Sequence, residues 1–198
     1  MGRIFYILGK SSTGKDTIYK KLVNKNECGL KNIVMYTTRP MRDGETDGVT
    51  YNYVTEEKYK ELENNNLIIE SRAYNTVHGL WRYFTVKDEQ IDLENNNYII
   101  IGVLQSFIST SEYFGKDTVI PIYVEVEDGE RLLRAVKREM KPGNHKYAEL
   151  CRRFLADMED FSEEKLSNAG IDCRFVNSNL NECINEIEKY IYGFVNGW

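Results

Sequence analysis

A glycine-rich segment near the N-terminus carries residue types suited to binding phosphate. Residues 9–17 read G-K-S-S-T-G-K-D-T and directly follow the apolar run 4–8. Glycines let the backbone turn tightly, so that successive N–H groups point at one anion, and a helix starting there adds the positive end of its dipole. In the spacing Gly9-x4-Gly14-Lys15, the lysine ammonium reaches the same oxygens. We therefore expect this segment, the phosphate loop, to bind the β- and γ-phosphates of a nucleoside triphosphate.

The residue after Lys15 departs from the usual pattern of such loops. That position is normally Ser or Thr, whose hydroxyl coordinates Mg²⁺, but this chain has Asp16 followed by Thr17. A carboxylate here would repel the triphosphate unless Mg²⁺ lies between them or the side chain points away. Both alternatives stay open, with Asp16 and Thr17 as the candidate magnesium contacts. The predicted ATP-binding residues of the loop are Gly9, Ser11, Ser12, Thr13, Gly14, Lys15, Asp16 and Thr17.

A second segment, residues 37–51, has the composition of a site for a phosphate monoester. It reads T-T-R-P-M-R-D-G-E-T-D-G-V-T-Y. Arg39 and Arg42 can form a planar fork around a phosphate, which lysines could not match in geometry. Tyr51 and Tyr83 can donate hydroxyl hydrogen bonds to the same phosphate without adding charge. This chemistry suits phosphoryl transfer between two anions, because the cations offset their repulsion.

The same segment resembles the acceptor-binding signature of the guanylate kinase family, T-T-R-x-x-R-x-G-E-x-x-G-x-x-Y, at every motif position. The resemblance touches most of residues 1–85 and returns at 176–180, where Asn177 lies in a segment that borders the adenine in the family. It implies transfer of the γ-phosphoryl group of ATP to GMP, giving ADP and GDP, with Mg²⁺ as cofactor. Glu70 then accepts from N1–H and the exocyclic amine of guanine, and Thr85 faces the base carbonyl. The resemblance assigns GMP binding to Arg39, Arg42, Tyr51, Glu70, Tyr83 and Thr85.

The chain also departs from the family at the positions that face the base. The serine four positions before the first motif arginine is replaced by Met35, and the third strand ends in the carboxylate-free run 102–105 (G-V-L-Q). A relaxed or different acceptor is therefore conceivable.

Two other functions stay open. A kinase resembling the ribose 1,5-bisphosphate kinases would share the G-K-D-[ST] loop, but the complete 37–51 motif disfavours it. A protein-binding module that has lost catalysis is disfavoured by the intact Lys15 and arginine pair.

A charged, helix-periodic stretch follows at residues 128–160, interrupted at 142–143 (Pro-Gly), and predicts a helical lid. Arg134 and Arg138 lie one turn apart on one helix face and match the family's R-x3-R lid spacing. Arg152 or Arg153, in the run 151–154 (C-R-R-F), resembles a later family arginine. The alternative is an amphipathic helix whose charges are simply solvated. The predicted catalytic residues are Lys15, Arg42, Arg138 and Arg153, and further ATP contacts are predicted for Arg134 and Asn177.

Strand and helix alternate around these motifs, which predicts an α/β fold with a parallel sheet flanked by helices. Strands are predicted at 4–8, 33–36, 98–102, 119–124 and 173–176, and helices at 15–26, 103–114, 128–139, 146–166 and 180–193. The predicted units are a core of 1–35, 91–127 and 161–198, a small mixed GMP-binding insert of 36–90, and the lid of 128–160. His78 is interpreted as a packing or turn residue, and Trp198 as one of the aromatic residues that anchor the last helix.

Composition limits the class of partner. The 198 residues carry a net charge of -5, which argues against nucleic acid or an anionic membrane as the main partner. Four cysteines without metal-site spacing, no targeting segment and no membrane-length apolar run predict a cytoplasmic protein with reduced thiols. ATP and GMP are the expected partners, and no obligatory protein partner is evident.

Overall fold

Two sheets form within residues 1–76, 79–143 and 145–197, the part of the chain that the computed structural model describes. The predictions for His78 and Trp198 lie outside these residues. The strands are β1 (Ile4–Leu8), β2 (Lys31–Asn32), β3 (Tyr36–Thr37), β4 (Asn52–Tyr53), β5 (Ile68–Thr76), β6 (Gly79–Val86), β7 (Tyr98–Ile101), β8 (Val119–Glu125) and β9 (Arg174–Val176). The helices are α1 (Lys15–Lys25), α2 (Glu56–Asn64), α3 (Leu104–Phe114), α4 (Asp128–Glu139), α5 (Tyr147–Asp160), α6 (Glu163–Asn168) and α7 (Leu180–Asn196).

The larger sheet is parallel throughout, in the order β2-β7-β1-β8-β9. All five residues of β1 are buried, as expected of a central parallel strand covered on both faces. Alternate side chains serve opposite faces: Tyr6 packs on one side with Phe107 and Leu166, and Ile7 packs on the other with Ile187. The phosphate loop therefore leaves the centre of the sheet at its carboxyl edge.

The smaller sheet, the insert sheet, has the order β4-β3-β6-β5 and mixes parallel and antiparallel pairs. Its own apolar cluster joins Tyr59 and Leu62 of α2 to Phe84 and Val86 of β6. One face of the sheet is thus packed on α2, which leaves the other face for a ligand.

The predicted α/β fold, with its parallel core sheet, mixed insert and helical lid, is confirmed. The boundaries of the predicted units stay a prediction. Among the described residues, no helix has both the length and the apolar character needed to cross a bilayer.

Two predicted elements are wrong. A strand at 33–36 does not form, because the chain leaves one sheet for the other here: the N–H of Ile33 donates to Ile99 O of the core sheet, whereas Met35 O accepts from Asn52 N of the insert sheet. The single helix at 146–166 is two helices, because Phe161 turns into the core and Ser162 caps α6 by accepting from Lys165 N.

Candidate functional site

The phosphate loop connects β1 to α1 and contains unusual backbone conformations. Gly14 has φ of 91° and Ser12 has φ of 66°, both in the left-handed region. A Cβ at Gly14 would lie 2.4 Å from Nδ2 of Asn177, so only glycine fits. The hydroxyl of Ser12 is buried and has no hydrogen-bond partner within the described ranges. The loop thus has a constrained shape and, among the described residues, a buried hydroxyl without a partner.

Asn177 and Arg134, both predicted to bind ATP, contact the main chain of this loop. Asn177 is buried and donates from Nδ2 to Thr13 O at 2.7 Å. Arg134 donates to Asn177 O at 2.9 Å and to Thr13 O at 3.5 Å. These two side chains support the loop from the side of β9.

Lys15 and Asp16, the charged residues at the end of the loop, differ in their exposure to solvent. The side chain of Lys15 is only 14% exposed, whereas that of Asp16 is 77% exposed, with Nζ and Oδ2 3.7 Å apart. Thr17 is exposed as well. The carboxylate of Asp16 is thus far more exposed than the ammonium of Lys15, and both alternatives for its role stay open. No cluster of three or more His, Cys, Asp or Glu side chains suited to a metal occurs in the described part of the chain.

Arg39 lies buried in the insert sheet, where its guanidinium is held in a fixed orientation. Nη1 and Nη2 each donate to a carboxylate oxygen of Glu45 at 2.8 Å, and Nε donates to Tyr83 Oη at 3.1 Å. Glu45 also accepts from Arg42 N and from Tyr53 Oη, both at 2.7 Å. Hydrogen bonding from Arg39 lowers the pKa of Glu45 to about 2, which keeps this carboxylate ionised. Glu45, part of the 37–51 motif, is an orienting residue that the sequence did not single out.

Tyr51 and Tyr83 complete a compact group with Arg39, which we call the acceptor cluster. The two tyrosine rings are 5.6 Å apart, and Arg39 lies 5.5 Å from the centre of the Tyr51 ring. Arg42 does not join this cluster; it is exposed, with its guanidinium 5.9 Å from the ring of Trp81. The structure thus brings together three of the four residues predicted for the acceptor phosphate.

The Tyr51 hydroxyl of the acceptor cluster lies within electrostatic range of the phosphate loop. Burial raises the pKa of Tyr51, and the neighbouring charges that act on its hydroxyl include those of Arg39 in the insert and Asp16 in the loop. Charged residues of both predicted phosphate sites thus lie near Tyr51.

Glu70 and Thr85, the predicted base-reading pair, lie opposite each other on β5 and β6. The Thr85 hydroxyl donates to Glu70 Oε1 at 3.0 Å, and the Nε of Arg72 donates to Oε2 at 3.2 Å. Burial raises the pKa of Glu70, and the positive charge of Arg72 acts in the opposite direction. Sequence reasoning missed Arg72, although its position two residues after Glu70 places both on one strand face.

The end of β7, which lacks carboxylates, is filled by a hydroxyl pair from the core. Tyr6 Oη lies 2.6 Å from Ser106 Oγ, and a Cβ at Gly102 would lie 2.1 Å from that Tyr6 oxygen. Glycine at this position therefore makes room for Tyr6.

A buried arginine connects the lid to the phosphate loop. Arg131, 1% exposed, donates to Asp128 at 2.8 Å, to Asp157 at 3.0 Å and to Ser11 O at 3.3 Å. Asp157 in turn accepts from Ser11 N at 2.8 Å. Sequence reasoning missed Arg131 and Asp157, and the only local signal was the i, i+3 pairing of Arg131 with Asp128.

The two lid arginines predicted to be catalytic occupy different surroundings. Arg153 donates from Nη2 to Ser11 Oγ at 3.0 Å and thus reaches the phosphate loop. Arg138 is half exposed, with its Nε 3.4 Å from Glu139. Within the described residues, Arg153 is the one of the two that hydrogen-bonds to the phosphate loop, and both line a cavity together with Ser11 and Ser12.

Comparisons with known proteins place this geometry in a family. The family model described as guanylate kinase matches residues 1–193. A guanylate kinase of Helicobacter hepaticus is 35% identical over 118 residues, which cover 58% of this chain and 56% of that protein. A guanylate kinase of Caldanaerobacter subterraneus subsp. tengcongensis is 27% identical over 96% of this chain and 86% of its own.

A solved structure has the same fold. The guanylate kinase of Anaplasma phagocytophilum superposes with a TM-score of 0.68 at 20% identity, covering 97% of this chain and 85% of that one. Because the family model spans nearly the whole sequence, the chain belongs to the guanylate kinase family.

Proposed function

We propose that the protein transfers the γ-phosphoryl group of ATP to GMP, giving ADP and GDP. The observation that carries this proposal is the match of the guanylate kinase family model to residues 1–193, in a chain whose insert brings Arg39, Tyr51 and Tyr83 together. Two anions must approach each other for phosphoryl transfer, and a cleft with cations on both sides offsets their repulsion.

On the donor side, the loop amides and the Lys15 ammonium bind the β- and γ-phosphates. Arg134 and Asn177 contribute to ATP binding indirectly, because they hold the main chain of the phosphate loop in place. Arg153, at the Ser11 hydroxyl, and Arg138 on the same lid neutralise charge that spreads over the transferred group. The ATP-binding set is Gly9, Ser11, Ser12, Thr13, Gly14, Lys15, Asp16, Thr17, Arg134 and Asn177.

On the acceptor side, Arg39, Arg42, Tyr51 and Tyr83 bind the phosphate of GMP, and Glu70 reads its base with its carboxylate held by Thr85. An oxygen of this phosphate attacks the γ-phosphorus while the bond to the β–γ bridging oxygen breaks. The attacking oxygen is already ionised at neutral pH, so the reaction needs no strong general base.

The residues at the end of the loop fit Mg²⁺ as cofactor. Asp16 and Thr17 offer exposed oxygen atoms, and Mg²⁺ in kinases is held by one or two carboxylates together with substrate phosphates and water. When bound with ATP, the ion would neutralise charge on the phosphates. The cytoplasmic location stays a prediction.

A coupled assay with ATP tests this proposal, with GMP, AMP and ribose 1,5-bisphosphate as alternative acceptors. We expect GMP to give the highest kcat/KM. Lys15→Ala should lower kcat by about 100-fold or more, because it removes a cation from the transition state. Arg42→Ala should mainly raise the KM for GMP.

Lys20→Ala is the matched control, since Lys20 is an exposed lysine of the same helix, α1. It should keep wild-type rates. A higher kcat/KM with ribose 1,5-bisphosphate than with GMP, or full activity of Lys15→Ala, would contradict the proposal.

A further inference from the structure

Arg72 lies on the edge strand β5, on the insert-sheet face that carries the predicted base-reading pair and Tyr83. In the β5–β6 register, Glu70 pairs with Thr85 and Arg72 pairs with Tyr83. Residues directly opposite in an antiparallel pair point to the same face, as do residues two apart in one strand. Arg72 therefore lies between the base-reading pair and the acceptor cluster.

The guanidinium of Arg72 has donors left over after its protein contacts. Nε binds Glu70 Oε2, and Nη2 approaches the Met35 sulfur at 3.6 Å, a weak acceptor. Within the described residues, no oxygen accepts from its terminal nitrogens. Arg72 also lines a cavity of about 760 Å³ together with Val103 and Leu104 at the start of α3. A ligand in this cavity would contact Arg72.

Thr85, by contrast, has no hydrogen left for a ligand carbonyl. Its hydroxyl hydrogen is donated to Glu70 Oε1, and a hydroxyl has only one. Each oxygen of Glu70 keeps one further acceptor site. The Glu70 carboxylate thus offers hydrogen-bond acceptors directly beside the N–H donors of the Arg72 guanidinium.

We propose that Arg72 is a specificity-determining residue that donates to the 6-oxo group and N7 of the acceptor base; this inference rests on the proposed function. Guanine presents donors at N1 and N2 beside acceptors at O6 and N7, a pattern that complements Glu70 and Arg72 together. Adenine has an amino group in place of O6, so a donor would face the Arg72 donors. Arginine paired with O6 and N7 is the commonest specific contact to guanine in protein–DNA complexes.

The test compares GMP with its 6-thio analogue, in which a weakly accepting sulfur replaces the 6-oxo oxygen. In the wild type we expect kcat/KM to fall about 10-fold or more on this replacement, and in Arg72→Met we expect the two substrates to be nearly equal. The ratio of GMP to AMP should fall by a similar factor in Arg72→Met. Arg72→Lys should lie between, because it keeps the charge beside Glu70 but loses the planar fork.

Arg82→Met is the matched control. Arg82 is also an arginine of the insert sheet paired with a glutamate, Glu56 at 2.9 Å, but it stacks over Tyr59 on the opposite face. It should keep the wild-type preference for GMP over 6-thio-GMP. If Arg72→Met lowered activity on both substrates equally and left their ratio unchanged, Arg72 would only compensate the charge of Glu70, and the inference would be wrong.

The two proposals fail in different ways. No turnover of GMP by the wild type would reject the proposed kinase activity. Calorimetric titration of both nucleotides into wild type and Arg72→Met would then still report whether Arg72 recognises the 6-oxo group. If Arg72→Met does not fold, Arg72→Lys carries the same comparison.

Discussion

At the scale of single residues, the carboxylate of Glu45 has two opposing effects on Arg39. It compensates a guanidinium that is 97% removed from water and holds it in one orientation. It also occupies both terminal nitrogens, so a phosphate must share the arginine with Glu45. Orientation of a cation before the substrate arrives lowers the entropic cost of binding. We infer that the acceptor cluster is preorganised by this pair.

Glu45→Gln tests that role. Removing one partner of a buried ion pair costs about 3–5 kcal/mol, and since Glu45 is 18% exposed we expect the lower end. At roughly 2–4 °C per kcal/mol for a chain of this size, Tm should fall by about 6–12 °C. The KM for GMP should rise in the same variant. Thermal melts at pH 7 measure the first effect and steady-state kinetics the second.

The lowered pKa of Glu45 also predicts that the stability of the protein depends on pH. The folded-state pKa of Glu45, about 2, lies below the ordinary value of 4.5, so its contribution is complete above pH 4.5 and is lost as the pH falls towards 2. The difference in Tm between wild type and Glu45→Gln should therefore shrink across that window. Glu61→Gln, at an exposed i, i+3 pair, is the control and should shift Tm little. A constant difference in Tm from pH 7 to pH 2 would contradict the assignment.

At the scale of elements, the lid is joined to the phosphate loop by buried charge. Arg131 of α4 contacts Asp157 of α5, and both contact the main chain of Ser11. The Arg131 guanidinium also lies 4.2 Å from the ring centre of Phe154, so one side chain joins both helices. The position of α5, and with it the reach of Arg153, depends on this contact.

Arg131→Met should therefore be strongly destabilising. It leaves Asp128 and Asp157 as neighbouring carboxylates without their common cation, at a cost of about 3–5 kcal/mol, which corresponds to a fall in Tm of roughly 6–20 °C. The KM for ATP should rise because the loop loses a support. Arg152→Met removes an exposed i, i+3 pair of the same lid and should change stability by less than about 1 kcal/mol. Equal effects of the two variants on Tm would show that the buried network has no special role.

At the scale of the whole molecule, the sequence predicts those features that lie within one continuous segment. The phosphate loop and the 37–51 motif are continuous segments whose chemistry can be read from spacing, and the α/β class follows from alternating elements. The sequence did not predict the role of Arg131, because its partner in the loop, Ser11, is 120 positions away. The false strand at 33–36 has the same origin, since residues that look like one strand bond to two different sheets. Contacts that cross the fold leave no periodic signal.

The separation of the apolar clusters leads to a prediction about how the molecule opens. The insert sheet packs around a cluster of four buried residues, whereas each face of the core sheet is covered by a much larger cluster. Regions with little buried apolar surface open at lower free energy than the rest. Amides of β5 and β6 should therefore exchange hydrogen for deuterium faster than those of β1, β7 and β8.

GMP alone should then slow exchange in the insert selectively. A ligand that binds only the closed insert stabilises it by RT ln(1 + [L]/Kd), about 2.7 kcal/mol at 100 times Kd, or roughly 100-fold slower exchange. The amides of β1 should change little, because their exchange depends on opening of the core. ATP without GMP should instead protect the loop and the start of α1. Hydrogen exchange followed by mass spectrometry resolves these segments, and uniform protection by either nucleotide would mean that core and insert open as one unit.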